Sequence, residues 1–208
     1  MNRLTHAVVL DDHRLFADSF ALLLQKECGI DMVQAFSETE GFYQFLRAFG
    51  QGELYVFLDY YFPQENGLVL SMEIKRLNSK AKVIFVTSAT SESVIRSILQ
   101  YRPNGLLSKS CDMATLVACM DQIRAGGFYV GPRLMKILEN NVVVEASFTP
   151  RELELLKYFS KGYSIAETAN HTFLSPHTIV AHRRKMMAKA RCNRIEQLLS
   201  YAQQHQLL

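Results

Sequence analysis

The sequence predicts an α/β protein: a doubly wound, five-stranded parallel sheet followed by a small all-α helix-turn-helix domain. Three observations predict it. Short apolar runs (Ala7-Val8-Val9-Leu10, Tyr55-Val56-Phe57-Leu58, Val83-Ile84-Phe85-Val86) are separated by amphipathic stretches, as in strands buried on both faces. Asp11, Asp12, Asp59, Thr87 and Lys109 each stand at or just beyond the end of such a run. From Phe148 onward the pattern changes to short capped helices with a local surplus of basic residues.

The first strand ends at Leu10. Phe16, Phe20, Leu23 and Leu24 then recur at the spacing of one helical stripe. Met32 to Phe36 forms a second, weaker strand, Tyr55 to Leu58 a third, and Val83 to Val86 a fourth that closes on Thr87. Leu106-Leu107 marks a fifth, one Ser before Lys109. Leu116, Val117, Met120, Ile123 and Arg124 carry a final helix to the Gly126-Gly127 stop. Alternating strands and helices assign residues 1–127 to one α/β domain. Residues 128–147, with Gly131-Pro132, a short helix from Arg133 to Glu139 and the run Val142-Val143-Val144, are too long for a plain loop and read as an interdomain linker. The second domain then spans residues 148–208.

Strands of a parallel sheet all present their carboxyl ends on one edge, where ligands bind. Three carboxylates, Asp11, Asp12 and Asp59, meeting there repel one another unless a hard divalent cation such as Mg²⁺ lies between them. A carboxylate so placed can accept a phosphoryl group, and Asp59 is the best placed. Lys109 adds a point charge and Thr87 a hydroxyl for the phosphoryl oxygens. A lone Asp after a strand is commonly a helix N-cap. Four such positions on four runs, in order, favour phosphoryl chemistry instead.

These residues resemble the receiver domain of two-component response regulators over about residues 6–125. The likeness rests on Val-Leu-Asp-Asp-His at 9–13, on Asp59 followed by Pro63 and Gly67, on Thr87, and on Gly105 with Lys109. It implies a flavodoxin-like fold with Asp59 as the phosphorylation site, Asp11 and Asp12 as Mg²⁺ ligands, and a Tyr61 backbone carbonyl also on the ion. Thr87 becomes the switch hydroxyl and Lys109 the phosphate-contacting lysine. Leu106 stands where many receivers carry an aromatic residue, which keeps a second reading open. In that reading the chain binds DNA independently of phosphorylation and the receiver serves as a dimerisation module. A Mg²⁺-dependent phosphohydrolase fits less well. Many such enzymes place a second Asp two residues after the nucleophile, where this chain has Tyr61. The expectation is a phosphoacceptor with at most slow self-dephosphorylation, not an enzyme.

Thr149-Pro150-Arg151-Glu152 is a capping box with Pro at the first helical position, and Ser164-Ile165-Ala166-Glu167 repeats the box. Ser175-Pro176 opens a third helix and Asn193 precedes a fourth. Residues 147–208 hold nine Lys/Arg against four Glu, which leaves fourteen against sixteen acidic residues for the rest of the chain. Five of the nine lie between Arg183 and Arg191. The spacing turns Ile179, Met186 and Ala190 toward a core, and His177, Val180, Ala181, Arg184 and Lys185 outward. A helix presenting a small apolar residue beside Arg suits the major groove of double-stranded DNA.

This half resembles the LuxR-type helix-turn-helix, through Thr149 to Glu152 with Leu156, Gly162, Ser164, Glu167, Ala169, Leu174-Ser175, Thr178, His182-Arg183 and Lys189. The resemblance makes Ser175 to Lys189 the recognition helix. It sets Val180, Ala181 and Arg184 at base-facing positions and Thr178, His182 and Arg183 near phosphates, with Lys189 also in the DNA-binding set. Together the halves resemble response regulators of the NarL/FixJ class, which implies a sensor histidine kinase as donor and a homodimer on DNA. No apolar stretch approaches a membrane span, so a cytoplasmic protein is expected. Cys28, Cys111, Cys119 and Cys192 lack the spacing of a zinc or redox site.

Overall fold

The computed structural model describes residues 4–62, 66–140, 148–205 and 207–208. Pro63 and the valine run at 142–144 lie outside the described residues. Contacts divide the chain into two compact units, one of Met1–Ser88 with Tyr101–Lys136, the other of Ala89–Gln100 with Ile137–Leu208.

The first unit holds a parallel sheet of β1 (His6–Leu10), β2 (Met32–Phe36), β3 (Leu54–Leu58), β4 (Lys82–Thr87), β5 (Gly105–Ser108) and β6 (Tyr129–Val130), in the order β2-β1-β3-β4-β5-β6. The register aligns Leu10 with Phe36 and Leu58, and Thr87 with Ser108, so the carboxyl ends of β1, β3, β4 and β5 share one edge. Chain direction across the sheet reverses at β1 and β3, which is where ligands collect in open α/β sheets. β3 and β5 are buried along their whole length, and β1 and β4 nearly so, which explains their continuous apolar runs. β2 lies at the edge and is only half covered, which is why its apolar signal is weak.

One face of the sheet packs on α1 (Arg14–Cys28) and α5 (Met113–Arg124). Ala7, Val9, Phe57, Ile84, Val86 and Leu107 meet Ala17, Phe20, Leu24, Leu116, Met120 and Ile123 there, each large side chain contributing roughly 1.5–3 kcal/mol. α2 (Thr39–Phe49) and α3 (Gly67–Leu77) contact each other and connect β2 to β3 and β3 to β4. The buried face of α1 differs from expectation. Leu23 is exposed, and Ala17, Ala21 and Cys28 complete the stripe with Phe20 and Leu24.

The sheet has six strands, not five. β6 pairs with the start of β5, Gly105 beside Tyr129 and Leu106 beside Val130, and residues up to Lys136 group with the sheet. A two-residue strand carries too little apolar pattern to be seen in sequence. α6 (Pro132–Asn140) follows it, as the short helix expected from Arg133.

In the second unit are α4 (Glu92–Gln100), α7 (Pro150–Ser160), α8 (Ile165–Thr172), α9 (Pro176–Lys189) and α10 (Ile195–Gln204). Both capping boxes form. Thr149 Oγ1 accepts from the Glu152 amide at 3.2 Å while Glu152 Oε2 accepts from the Thr149 amide at 2.7 Å, and Ser164 with Glu167 repeats the exchange. Phe148, Leu153, Leu156, Ile179, Met186, Leu198 and Ala202 are buried and tie α7, α9 and α10 together.

Candidate functional site

At the end of β1, Asp11 donates its amide to Phe36 O at 3.1 Å, and at the end of β3 Asp59 donates to Leu10 O at 3.0 Å. These bonds extend the sheet ladder by one residue and fix both carboxylates at its edge. Asp11 and Asp59 are only 1% and 2% exposed, respectively. Lys109 is held by its amide to Thr87 O at 2.9 Å, and its Nζ reaches Asp11 Oδ2 at 2.7 Å and Asp59 Oδ2 at 2.8 Å. The lysine stem passes the Phe16 ring, 4.9 Å from Nζ to the ring centroid. Thr87, fully buried, closes β4 on the same edge.

The chain after Asp59 folds back at Gly67, whose amide donates to Tyr60 O at 2.9 Å. A Cβ at Gly67 would sit 2.4 Å from Asp59 O, so no larger residue fits without moving the loop.

Asp11, Asp12, His13 and Asp59 each present a ligand atom within 4.8 Å of the others. One ammonium does not balance three carboxylates, and Asp59 Oδ1 is buried without a hydrogen-bond partner. Oxygen donors, surplus negative charge and an orphaned buried oxygen fit a hard divalent cation. The three carboxylates expected from sequence are thus brought together. His13, part of the Val-Leu-Asp-Asp-His run at 9–13, is not among the ligands expected from sequence and stands with them here.

Burial pushes the Asp59 carboxyl above the usual carboxylate range, and the charge of Asp11 adds to this. Lys109 and the Tyr61 amide pull it back only in part. Burial also penalises the Lys109 ammonium, but its two carboxylate partners outweigh that and raise its pKa.

On α9, Ser175 caps the helix by accepting from the Thr178 amide at 3.1 Å, and the two hydroxyls lie 2.8 Å apart. Ile179 and Met186 are buried. Ala181, Arg184 and Lys185 are exposed, while Val180, His182 and Arg183 are half-buried. The exposed face therefore carries Ala181, Arg184 and Lys185 as the spacing predicted, whereas Val180, expected outward, and Ala190, expected in the core, are both half-buried.

Residues 7–121 match the family described as response regulator receiver domain, and residues 146–202 match the bacterial regulatory proteins of the luxR family. The chain is a response regulator. It combines a receiver with a LuxR-type DNA-binding domain, the architecture of NarL/FixJ-class transcription regulators. Relatives include the Fimbriae Z protein of Salmonella typhimurium, 24% identical over 206 residues (97% of each chain), and the oxygen regulatory protein NreC of Staphylococcus carnosus, 24% identical over 97% of this chain and 98% of the relative. Among solved structures, RcsB of Salmonella enterica serovar Typhimurium bound to promoter rprA with the phosphomimetic BeF3⁻ shares the fold. Its TM-score is 0.70 at 20% identity, covering 96% of this chain and 98% of that one. An RcsB-DNA complex gives a TM-score of 0.62 at 20% identity, over 97% and 98% of the two chains. No helix among the regulator's described residues is long and apolar enough to cross a membrane.

One residue of the expected DNA-binding set turns inward in this regulator. Lys189 Nζ lies 2.6 Å from the buried Glu152 Oε2 and 5.8 Å from the centre of the Phe148 ring, so it braces α9 against α7. Removing the ammonium strands a buried carboxylate. Lys189→Met is expected to lower stability by about 2 kcal/mol in thermal unfolding of the whole chain, discounted from the fully buried case because the lysine is a quarter exposed.

The raised Asp59 pKa has a stability consequence with a definite sign. The folded regulator holds that proton more tightly than the unfolded chain, so without a cation its stability falls as pH rises from the ordinary carboxylate value, about 3.9, through the folded value. Asp59→Asn escapes this loss. The variant is expected to be more stable than the native metal-free protein at pH 7, with the gain shrinking as pH falls to the ordinary carboxylate value, as read by denaturant titration.

Proposed function

We propose that this regulator is switched by phosphorylation of Asp59 by a sensor histidine kinase and then binds promoter DNA as a homodimer through α9. The observation that carries the reading is the Asp59 carboxylate at the sheet edge, one oxygen on Lys109 and the other buried and unpaired. In this reading an Asp59 oxygen attacks phosphorus, the bond to the donor's imidazole nitrogen breaks, and an acyl phosphate remains. Lys109 follows the charge onto a phosphoryl oxygen, and the Thr87 hydroxyl donates to another. Asp11, Asp12, Asp59 and the Tyr61 carbonyl would hold Mg²⁺, which when bound neutralises phosphoryl oxygens. Tyr61 offers no carboxylic acid to assist water, so self-dephosphorylation is slow.

On DNA, Val180, Ala181 and Arg184 face base edges, and Thr178, His182 and Arg183 face phosphates. Two copies read adjacent half-sites and double the phosphate contacts, which makes binding steep in salt. The RcsB structures solved with DNA support this use of the fold. Lys189 has a bracing role instead.

A second reading is favoured by Leu106, which fills the buried position on β5 where many receivers carry an aromatic. It makes DNA binding independent of the phosphoryl group. Titration of a promoter pool with and without acetyl phosphate plus Mg²⁺ separates the two. Tighter binding with the donor supports the switch, and identical curves support the second reading.

A further inference from the structure

Between α3 and the loop that leads into β5 lies a concavity of about 410 Å³. Its floor is formed by Val83 and Phe85, which alternate along β4 with the Ile84 and Val86 that meet α1 and α5, so it opens on the other face of the sheet. Met72 of α3, 54% exposed, forms one wall. Lys75, Arg76 and Arg102 stand around it, and no carboxylate lines it among the described residues. The half of the chain before residue 147 is otherwise slightly acidic, so this excess of positive charge is local. None of these residues belongs to the carboxyl-edge site.

The three cations are not equally matched. Arg76 has Glu73, with Nη2 2.6 Å from Oε1. Lys75 and Arg102 have no carboxylate partner among the described residues. The half-buried Lys75 Nζ donates instead to Ala81 O at 2.5 Å and reaches Asn104 Oδ1 at 3.5 Å, which leaves one N–H of the ammonium uncommitted. Burial lowers the Lys75 pKa and the charge of Lys82 adds to this, both of which a neighbouring anion would offset. Arg102 is held at φ 48°, a left-handed conformation that non-glycine residues seldom adopt and that Pro103, which steers its predecessor toward extended backbone, opposes. Its side chain is exposed, so burial does not account for the strain.

We propose that this concavity binds a small organic carboxylate with an aromatic body, the carboxylate on Lys75 and Arg102 and the body on Val83, Phe85 and Met72. An apolar floor with a few convergent polar groups, at this volume, is the make-up of small-molecule sites. The guanidinium presents a planar fork that matches a carboxylate, and the ammonium adds a point charge. The Met72 thioether can adapt to the outline of the ring. A neutral amide lacks the charge and acetate lacks the body, so neither satisfies both halves of the site. Binding here does not depend on whether Asp59 takes a phosphoryl group.

The test is nuclear magnetic resonance titration of the full-length chain carrying ¹³C at its methionine methyls, with the Met72 signal assigned by its loss in Met72→Leu. Sodium 4-(trifluoromethyl)benzoate, its neutral amide and sodium acetate are added at fixed ionic strength. The expected result is a saturable shift of the Met72 methyl with the benzoate, and binding at least about 10-fold weaker for the amide and for acetate, the difference one charge-assisted hydrogen bond makes. Arg102→Gly should weaken the benzoate by about the same factor. Glycine adopts the φ of position 102 freely, so that variant keeps the fold. Met72→Glu, an exposed change that sets an acid in the wall, should abolish benzoate binding as read from the ligand's ¹⁹F line width. Equal affinities for benzoate and amide, equal benzoate affinities in the native chain and Arg102→Gly, or no saturable shift at Met72 each overturn the assignment.

Discussion

Asp59→Asn is expected to abolish the effect of acetyl phosphate on DNA binding. In the native chain, phosphodonor plus Mg²⁺ should tighten binding to a selected promoter duplex about 10-fold, a coupling of about 1.4 kcal/mol, within the usual range for allosteric proteins. The Asn amide is a poor nucleophile, so no acyl phosphate forms and the curves with and without donor should coincide. The substitution is nearly isosteric and Asp59 is buried, so the Asp59 and Leu10 backbone bond survives and the sheet edge is kept. Lys109 retains Asp11 as partner. Loss of the response in a variant that is as stable as the native protein, or more so, can then be assigned to chemistry rather than misfolding. Fluorescence anisotropy at fixed salt reads the affinities. A donor response that persists in Asp59→Asn rejects Asp59 as the acceptor.

Arg184→Ala should produce the largest loss of DNA affinity from a single side chain. Arg184 is exposed on the same face of α9 as Ala181 and Val180, three and four residues before it. A guanidinium there can pair bidentately with guanine, worth about 1–3 kcal/mol per copy, and a dimer loses the contact twice. Affinity for the selected duplex should fall at least about 30-fold, with a smaller change on a scrambled duplex. Arg183→Ala, at a proposed phosphate position, should instead weaken binding to both duplexes alike and flatten the salt dependence. Equal losses on both duplexes for Arg184→Ala move that residue to the phosphate set.

Much of this was legible in the sequence because the physics is local. A buried parallel strand writes itself as an apolar run, a sheet edge as the polar residue that follows it, and a helix start as a capping box. Met32 to Phe36, Thr149 to Glu152 and the outward face of α9 could be read for those reasons. What escaped depends on neighbours distant in sequence. Leu23 has the right spacing for the α1 stripe, but the chosen face turns slightly toward Ala17 and Ala21, where small residues let the helix sit close to the sheet. Lys189 looks like one more basic residue of α9, and only Glu152, 37 positions away, draws it inward. β6 is paired only because Gly105 and Leu106 await a neighbour.

The central claim is that one carboxylate, Asp59, captures the phosphoryl group. Borohydride reduces an acyl phosphate to the alcohol, so treating the acetyl phosphate-loaded chain and sequencing its peptides marks the acceptor directly. Homoserine is expected at position 59, with Asp11 and Asp12 unchanged. Homoserine at position 11 or 12, or at no position while DNA binding still responds to the donor, contradicts it.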